Sequence, residues 1–222
     1  MKKNTVIALF ICLSLLVSCQ NNENKEIEEE KNELLSQFND EEKDILDKIT
    51  SHQDQGFYTY ITTNLESGET IQKISHGIDT DKNILIDVEE EKIYALRNKD
   101  TFTIFDTDKN IYYQDKKSQT NDISKITEED QLRKYNELII KGGFKIVKDK
   151  DNIKLSFEDG SYDIYDSKNF DLLESVFKAE GNKLIQKLDS KDTDVEKYYQ
   201  DYIKMIETMK RVDNRNEVTG KI

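Results

Sequence analysis

Apolar residues along this chain follow two periods. Leu34, Leu35, Phe38, Ile45, Leu46 and Ile49 recur at spacings of three, four and seven, which places them on one face of a helix. Asn39 with Glu42 three residues on forms a capping-box pair, so a helix is expected to restart at position 40 and run to about 52. A middle helix is expected from Thr127 to about Ile140, with Leu132, Tyr135, Leu138 and Ile139 on one side. A last helix carries Val195, Tyr198, Tyr199, Tyr202, Met205, Ile206, Met209 and Val212 as a stripe over five turns, with Asp192 or Thr193 as its cap.

Between these helices the period becomes two. Phe57, Thr59, Ile61, Thr63 and Leu65 alternate against Tyr58, Tyr60, Thr62 and Asn64. Ile84 to Val88, Ile93 to Ala95, Phe102 to Ile104 and Ile111 to Tyr113 follow in the same manner. After the middle helix come Ile153 to Phe157, Tyr162 to Ile164, the neighbourhood of Val176, and Leu184 to Leu188. Turn residues close most of these runs, among them Ser67-Gly68, Asp159-Gly160 and Gly181-Asn182; such pairs between alternating runs signal hairpins. The links are too short for crossover helices, so the sheet should be mainly antiparallel. The expectation is one α+β domain over residues 34–215 with a tail at 216–222. Its core would be a curled, half-barrel-like meander of nine or ten strands, with helices against the concave face.

The N-terminus reads as an address. Lys2 and Lys3 precede an apolar run from Thr5 to Val17, then Ser18 and Cys19. That run is too short to span a bilayer and has the form of a secretory signal. The sequence Leu16-Val17-Ser18-Cys19 resembles the lipobox of bacterial lipoproteins. The resemblance implies export, cleavage after residue 18, and a diacylglyceryl group on Cys19 holding the protein to the extracytoplasmic face of the cell membrane. It also implies labelling by palmitate. Two acyl chains suffice for stable attachment, each buried methylene being worth about 0.8 kcal/mol. Residues 20–33 carry a single apolar side chain, Ile27, and are expected to form a polar tether between lipid and domain.

Composition narrows the function. The formal net charge is −13, with 36% charged residues and no proline or tryptophan. A nucleic-acid partner is not expected, because it would need a basic footprint. A surface this acidic should also be repelled by anionic headgroups. The two cysteines, Cys12 and Cys19, lie in the signal and at its end, so thiol catalysis and cysteine metal sites are excluded from the domain.

The remaining chemistry is sparse. Asp79 to Ile84 and Asp106 to Ile111 both read DTDKNI. This opens like a calcium loop, but an isoleucine stands where the sixth-position glycine belongs, so both copies are read as tight turns. His52 at a helix end and His76 before Gly77 in a turn are read as surface histidines. Gly142-Gly143 is read as a helix C-cap. No catalytic, cofactor or metal site is assigned. Of eleven tyrosines, Tyr58, Tyr60, Tyr94, Tyr113 and Tyr202 are candidates for a binding surface.

The order of helix, meander ending in IYYQD, helix, meander and helix resembles the LolA/LolB-like envelope carriers. That resemblance implies a half-barrel sheet with helices as a lid over an apolar hollow. The expected function is that of a non-enzymatic envelope lipoprotein binding an apolar or amphipathic ligand or a protein partner. The alternative is a surface interaction lipoprotein, of adhesin or immunity and exclusion type, without an internal ligand.

Overall fold

The computed structural model describes residues 23–52, 55–89, 93–98, 100–116, 127–141, 143–179 and 181–219. Cys19, the expected signal and Gly142 lie outside them. The chain is a mixed α+β structure built on one open, curled sheet of twelve strands, with five helices among the described residues. The strand count exceeds the expected nine or ten.

Helix α1 spans Glu23–Ser36 and α2 spans Asp40–Ser51. The stretch expected to be a tether is thus helical from Glu23 onward. The capping box forms as the sequence predicts: Glu42 N donates to Asn39 Oδ1 at 3.0 Å, and Asn39 N donates to Glu42 Oε2 at 3.0 Å. Strands β1 Gly56–Asn64, β2 Thr70–Asp79, β3 Ile84–Glu89, β4 Ile93–Arg97, β5 Thr101–Asp106 and β6 Ile111–Lys116 form one meander. Helix α3, Thr127–Lys141, leads to a second meander: β7 Phe144–Lys148, β8 Asn152–Phe157, β9 Tyr162–Asp166, β10 Leu172–Ala179 and β11 Asn182–Asp192. Helix α4, Val195–Ile206, the short β12, Lys210–Arg211, and α5, Arg215–Thr219, end the fold.

The two meanders join where β1 pairs with β11, giving the order β12-β6-β5-β4-β3-β2-β1-β11-β10-β9-β8-β7. Every pair is antiparallel except β12 with β6.

Side chains alternate across a sheet, so the register assigns each residue to a face. Leu155, Asp163, Ser175, Gln186 and Thr62 lie in one row, on the face that also holds Tyr58, Tyr60, His76, Asp87 and Ile104. Helices α1 to α3 cover this face at the β7–β9 end, burying Leu46, Tyr135, Ile153 and Leu155 completely. Helix α5 covers it at the β5–β6 end around Ile104, Val212 and Val218. Helix α4 lies on the opposite face, over Phe57, Ile86, Leu96 and Phe105. Helices therefore sit on both faces, not on one concave face as the sequence suggested.

Three further expectations change. The last helix ends at Ile206 rather than continuing to Val212. The chain leaves it to lay β12 along β6, with Lys210 N donating to Asn110 O and Val212 N to Tyr112 O. The cap is Asp194, whose side chain accepts from Lys197 N at 3.1 Å; Asp192 instead accepts from Asp194 N. His76 and Gly77 lie within β2, not in a turn.

The DTDKNI copies are the same turn used twice. Asp79 Oδ1 accepts from Lys82 N and Asp106 Oδ1 from Lys109 N, each at 3.0 Å. Asn83 and Asn110 both adopt φ 54°, the left-handed region that asparagine tolerates.

Candidate functional site

One broad part of the sheet belongs to none of the three helix-packed clusters: the side of β7–β11 and of the neighbouring halves of β1 and β2 that lies away from α1 to α3, where Val176 is nonetheless 2% exposed. Its residues fall into two rows across the strands. One row reads Lys73, Ile61, Lys187, Glu174, Ile164, Lys154 and Val147. The next reads Thr63, Ile185, Val176, Tyr162, Ser156 and Lys145. Neighbouring strands are about 4.8 Å apart, so Lys73 and Lys187, which flank Ile61, are rooted about 10 Å from each other.

A groove of about 470 Å³ opens on this face between β1 and β11. Ile61, Thr63, Leu65 and Ile185 line it, with Lys187, Leu188 and Asp189 at its wall. The wall falls at an irregularity, where Thr59 and Tyr60 pair with Ser190 and Leu188 and leave Asp189 unmatched. A bulge of this kind strengthens local twist and lets the sheet bend around the groove. The volume lies within the 300–1,000 Å³ that small-ligand sites occupy.

Lys187 at the groove wall is already paired. Glu174 accepts from Tyr162 OH at 2.7 Å and pairs with Lys187 at 2.9 Å. Burial pushes the Glu174 carboxyl up, but these two donors outweigh it and hold the group below the ordinary glutamate value. The same hydrogen bond pushes the Tyr162 hydroxyl up to about 12, since ionising it would set two anions in contact. Lys154 lies over the Tyr162 ring at 4.0 Å, a cation–π contact.

A second polar cluster lies on the helix-covered face. Asp171 is 2% exposed. It accepts from Tyr58 OH at 2.9 Å and from Lys191 Nζ at 2.6 Å, and lies 3.2 Å from His52 Nε2. Lys191 also sits over the Tyr58 ring. This cluster ties the end of α2, β1 and β11 to the β9–β10 turn. His52 is therefore half-buried against a carboxylate rather than a surface histidine. His76 is likewise paired, its Nδ1 2.6 Å from Asp87 Oδ1. Sequence reasoning missed both: Asp171 is 119 residues from His52, and Asp87 meets His76 only through the β2–β3 register.

The candidate tyrosines do not converge. Tyr58 is buried at Asp171, and Tyr60 beside it donates to Leu172 O at 3.3 Å. Tyr94 stacks on Phe105 at 4.6 Å and meets Tyr202 at 5.4 Å under α4, on the other face. Burial pushes the Tyr202 hydroxyl up to about 12. Tyr113 packs near α5. Three tyrosines thus share one face and two the other. Among the described residues no group of three or more His, Cys, Asp or Glu is gathered as a metal site, and no helix is long and apolar enough to cross a membrane.

No protein-family model matches the chain, and no curated protein matches it in sequence. Among solved structures, it is similar to an uncharacterized conserved protein from Thermus thermophilus. The TM-score is 0.36 and the identity 5%, over 82% of this chain and 94% of that one.

Proposed function

We propose that this protein is an exported bacterial lipoprotein, held to the extracytoplasmic face of the membrane by a diacylglyceryl group on Cys19. Its domain is a non-enzymatic binding module, half-barrel-like in shape, that takes an apolar or amphipathic ligand or an envelope partner on its open sheet. The observation that carries this reading is the order of Lys2-Lys3, the apolar run and Leu16-Val17-Ser18-Cys19. The β1–β11 groove supports the binding part, because its floor is apolar and its wall carries one lysine and one aspartate.

A second reading, a surface interaction protein of adhesin or immunity type, draws support from Leu65, Ile71 and Val147. They are 44%, 40% and 59% exposed; Leu65 and Ile71 lie on the β1–β2 side and Val147 on the edge strand β7, and exposed apolar side chains are candidate contact points.

Cell fractionation tests the anchor. The wild type should remain with the membranes through a high-salt wash and be released by detergent, in a processed form. Cys19→Ser should accumulate as the longer precursor and take up no radioactive palmitate. A Cys19→Ser protein that is processed and labelled like the wild type would refute the reading.

A further inference from the structure

The net charge of −13 is not spread evenly over the molecule. The face of β7–β11, β1 and β2 that lies away from α1 to α3 carries six lysines, Lys73, Lys145, Lys154, Lys178, Lys183 and Lys187. All but Lys154 are exposed. Three carboxylates share that face: Glu174, Asp166 and Asp189, the last exposed at the wall of the groove. Glu174 is taken by Tyr162 and Lys187, and Asp166, at the end of β9, caps its own turn through Lys168 N and Asn169 N. Acidic residues gather elsewhere, as at Asp40, Glu41 and Glu42 in the first turn of α2.

Two further observations set this face apart. Lys178 stands directly opposite Lys183 across β10 and β11, and like charges so placed destabilise a sheet. Lys178 Nζ donates to Asp159 O at 2.8 Å, and an anionic surface would relieve Lys183. The exposed Leu65, Ile71 and Val147 stand beside the lysines on the same side of the sheet. Cations mixed with exposed apolar groups suit the boundary between headgroups and acyl chains.

We propose that this face docks on anionic phospholipid headgroups, with the lysines on phosphates and the three apolar side chains at the acyl boundary. The proposal rests on the lipid-anchor reading for the bilayer being close. Cys19 is four residues from the start of α1 at Glu23, a reach of at most about 14 Å; α1 belongs to the helix-covered side, so the anchor brings the bilayer near the domain and leaves the docking face to be set by charge. Salt screens charge beyond about 8–10 Å. The local face, rather than the net charge of the whole domain, therefore decides the interaction at contact. A diacylglyceryl group plus a basic face also gives two attachment signals.

The test uses the chain from Gln20 onward, which keeps every described residue and all three core clusters. It is floated with vesicles of phosphatidylcholine alone, or of phosphatidylcholine with phosphatidylglycerol. The expected result is binding to the phosphatidylglycerol vesicles alone, weakening as salt is raised. Each near-surface lysine should contribute about five-fold, so Lys73→Gln, Lys145→Gln and Lys183→Gln together should lower partitioning about a hundred-fold. Lys43→Gln, Lys48→Gln and Lys148→Gln, on the helix-covered side, should leave it unchanged. Equal binding to both vesicle types, no binding to either, or equal loss in the two triple variants would overturn the proposal. Self-association in sedimentation without vesicles, abolished by the first triple variant, would assign the face to a second copy and overturn it as well. Lipidation of Cys19 is read separately. A protein that is not lipidated but still binds phosphatidylglycerol through this face would refute the anchor and leave the docking face standing.

Discussion

Gly77→Ala probes how α4 is seated. Gly77 lies in β2 directly beneath the start of that helix. Its φ lies outside the left-handed region, so alanine fits the backbone and would gain about 0.4–1 kcal/mol by restricting the unfolded chain. The space does not fit. A Cβ there would lie 2.9 Å from Phe57 Cδ2 and 3.3 Å from both Ile86 Cβ and Val195 Cγ1. Phe57 cannot swing aside freely, because its ring is stacked on Tyr198 with centroids 3.9 Å apart. Overpacking of this kind costs about 1–3 kcal/mol, leaving a net loss of about 1–2 kcal/mol. With a urea slope of about 1–3 kcal/mol per molar, the unfolding midpoint should fall by roughly 0.5–1 M. Val195→Ala removes one of the three contacts. Gly77→Ala in that background should therefore cost less, by about 0.5 kcal/mol or more. A midpoint that rises with Gly77→Ala alone would refute the packing of α4 on β2.

Other outcomes follow from the same packing. Ile206, the last residue of α4, is 6% exposed in the cluster under that helix, so Ile206→Ala should cost about 2–5 kcal/mol in a thermal or urea melt; a cost near zero would mean a hollow under the helix. Asn83→Ala and Asn110→Ala should each cost about 1–2 kcal/mol, because both residues sit at φ 54°, whereas Asn110→Gly should be nearly neutral. Burial pushes the Asp106 carboxyl up, but hydrogen bonds from Lys109 outweigh it and hold the group below its ordinary value. A carboxyl depressed in the folded state stabilises the protein above about pH 4 and loses that contribution as pH falls through the folded-state value. Asp106→Asn should thus be less stable than wild type at neutral pH, with the gap closing below about pH 4; a gap that widens on acidification would contradict this.

Features that depend on neighbours in sequence were legible. The capping box at Asn39, the span of α3 and the two DTDKNI turns all follow from residues within a few positions of each other. Within α4, Val195, Tyr199 and Ile206 are buried while Lys197 and Lys204 are exposed, as the helical period requires. Strand β2 escaped notice because the residues it buries are Ser75 and Gly77. A face built from small residues under a helix leaves no hydrophobic period to read. Strand β7 is an edge that turns only Phe144 and Ile146 toward the helices. Met209 and Val212 continue the spacing of Ile206, so the pattern alone extends the helix. The backbone bonds to β6 draw this segment away instead, an interaction with residues about 100 positions earlier. The lysine face was hidden for the same reason. Its members come from strands in both meanders, and only the register brings them together.

The central claim is that this domain is held at a membrane by lipid on Cys19. The intact mass of the protein extracted from membranes tests it directly. The account predicts a chain beginning at Cys19 and carrying the added mass of a diacylglyceryl group, lost when Cys19 is replaced by serine. A mass equal to the full 222 residues, or to a cleaved chain with no added lipid, would contradict it.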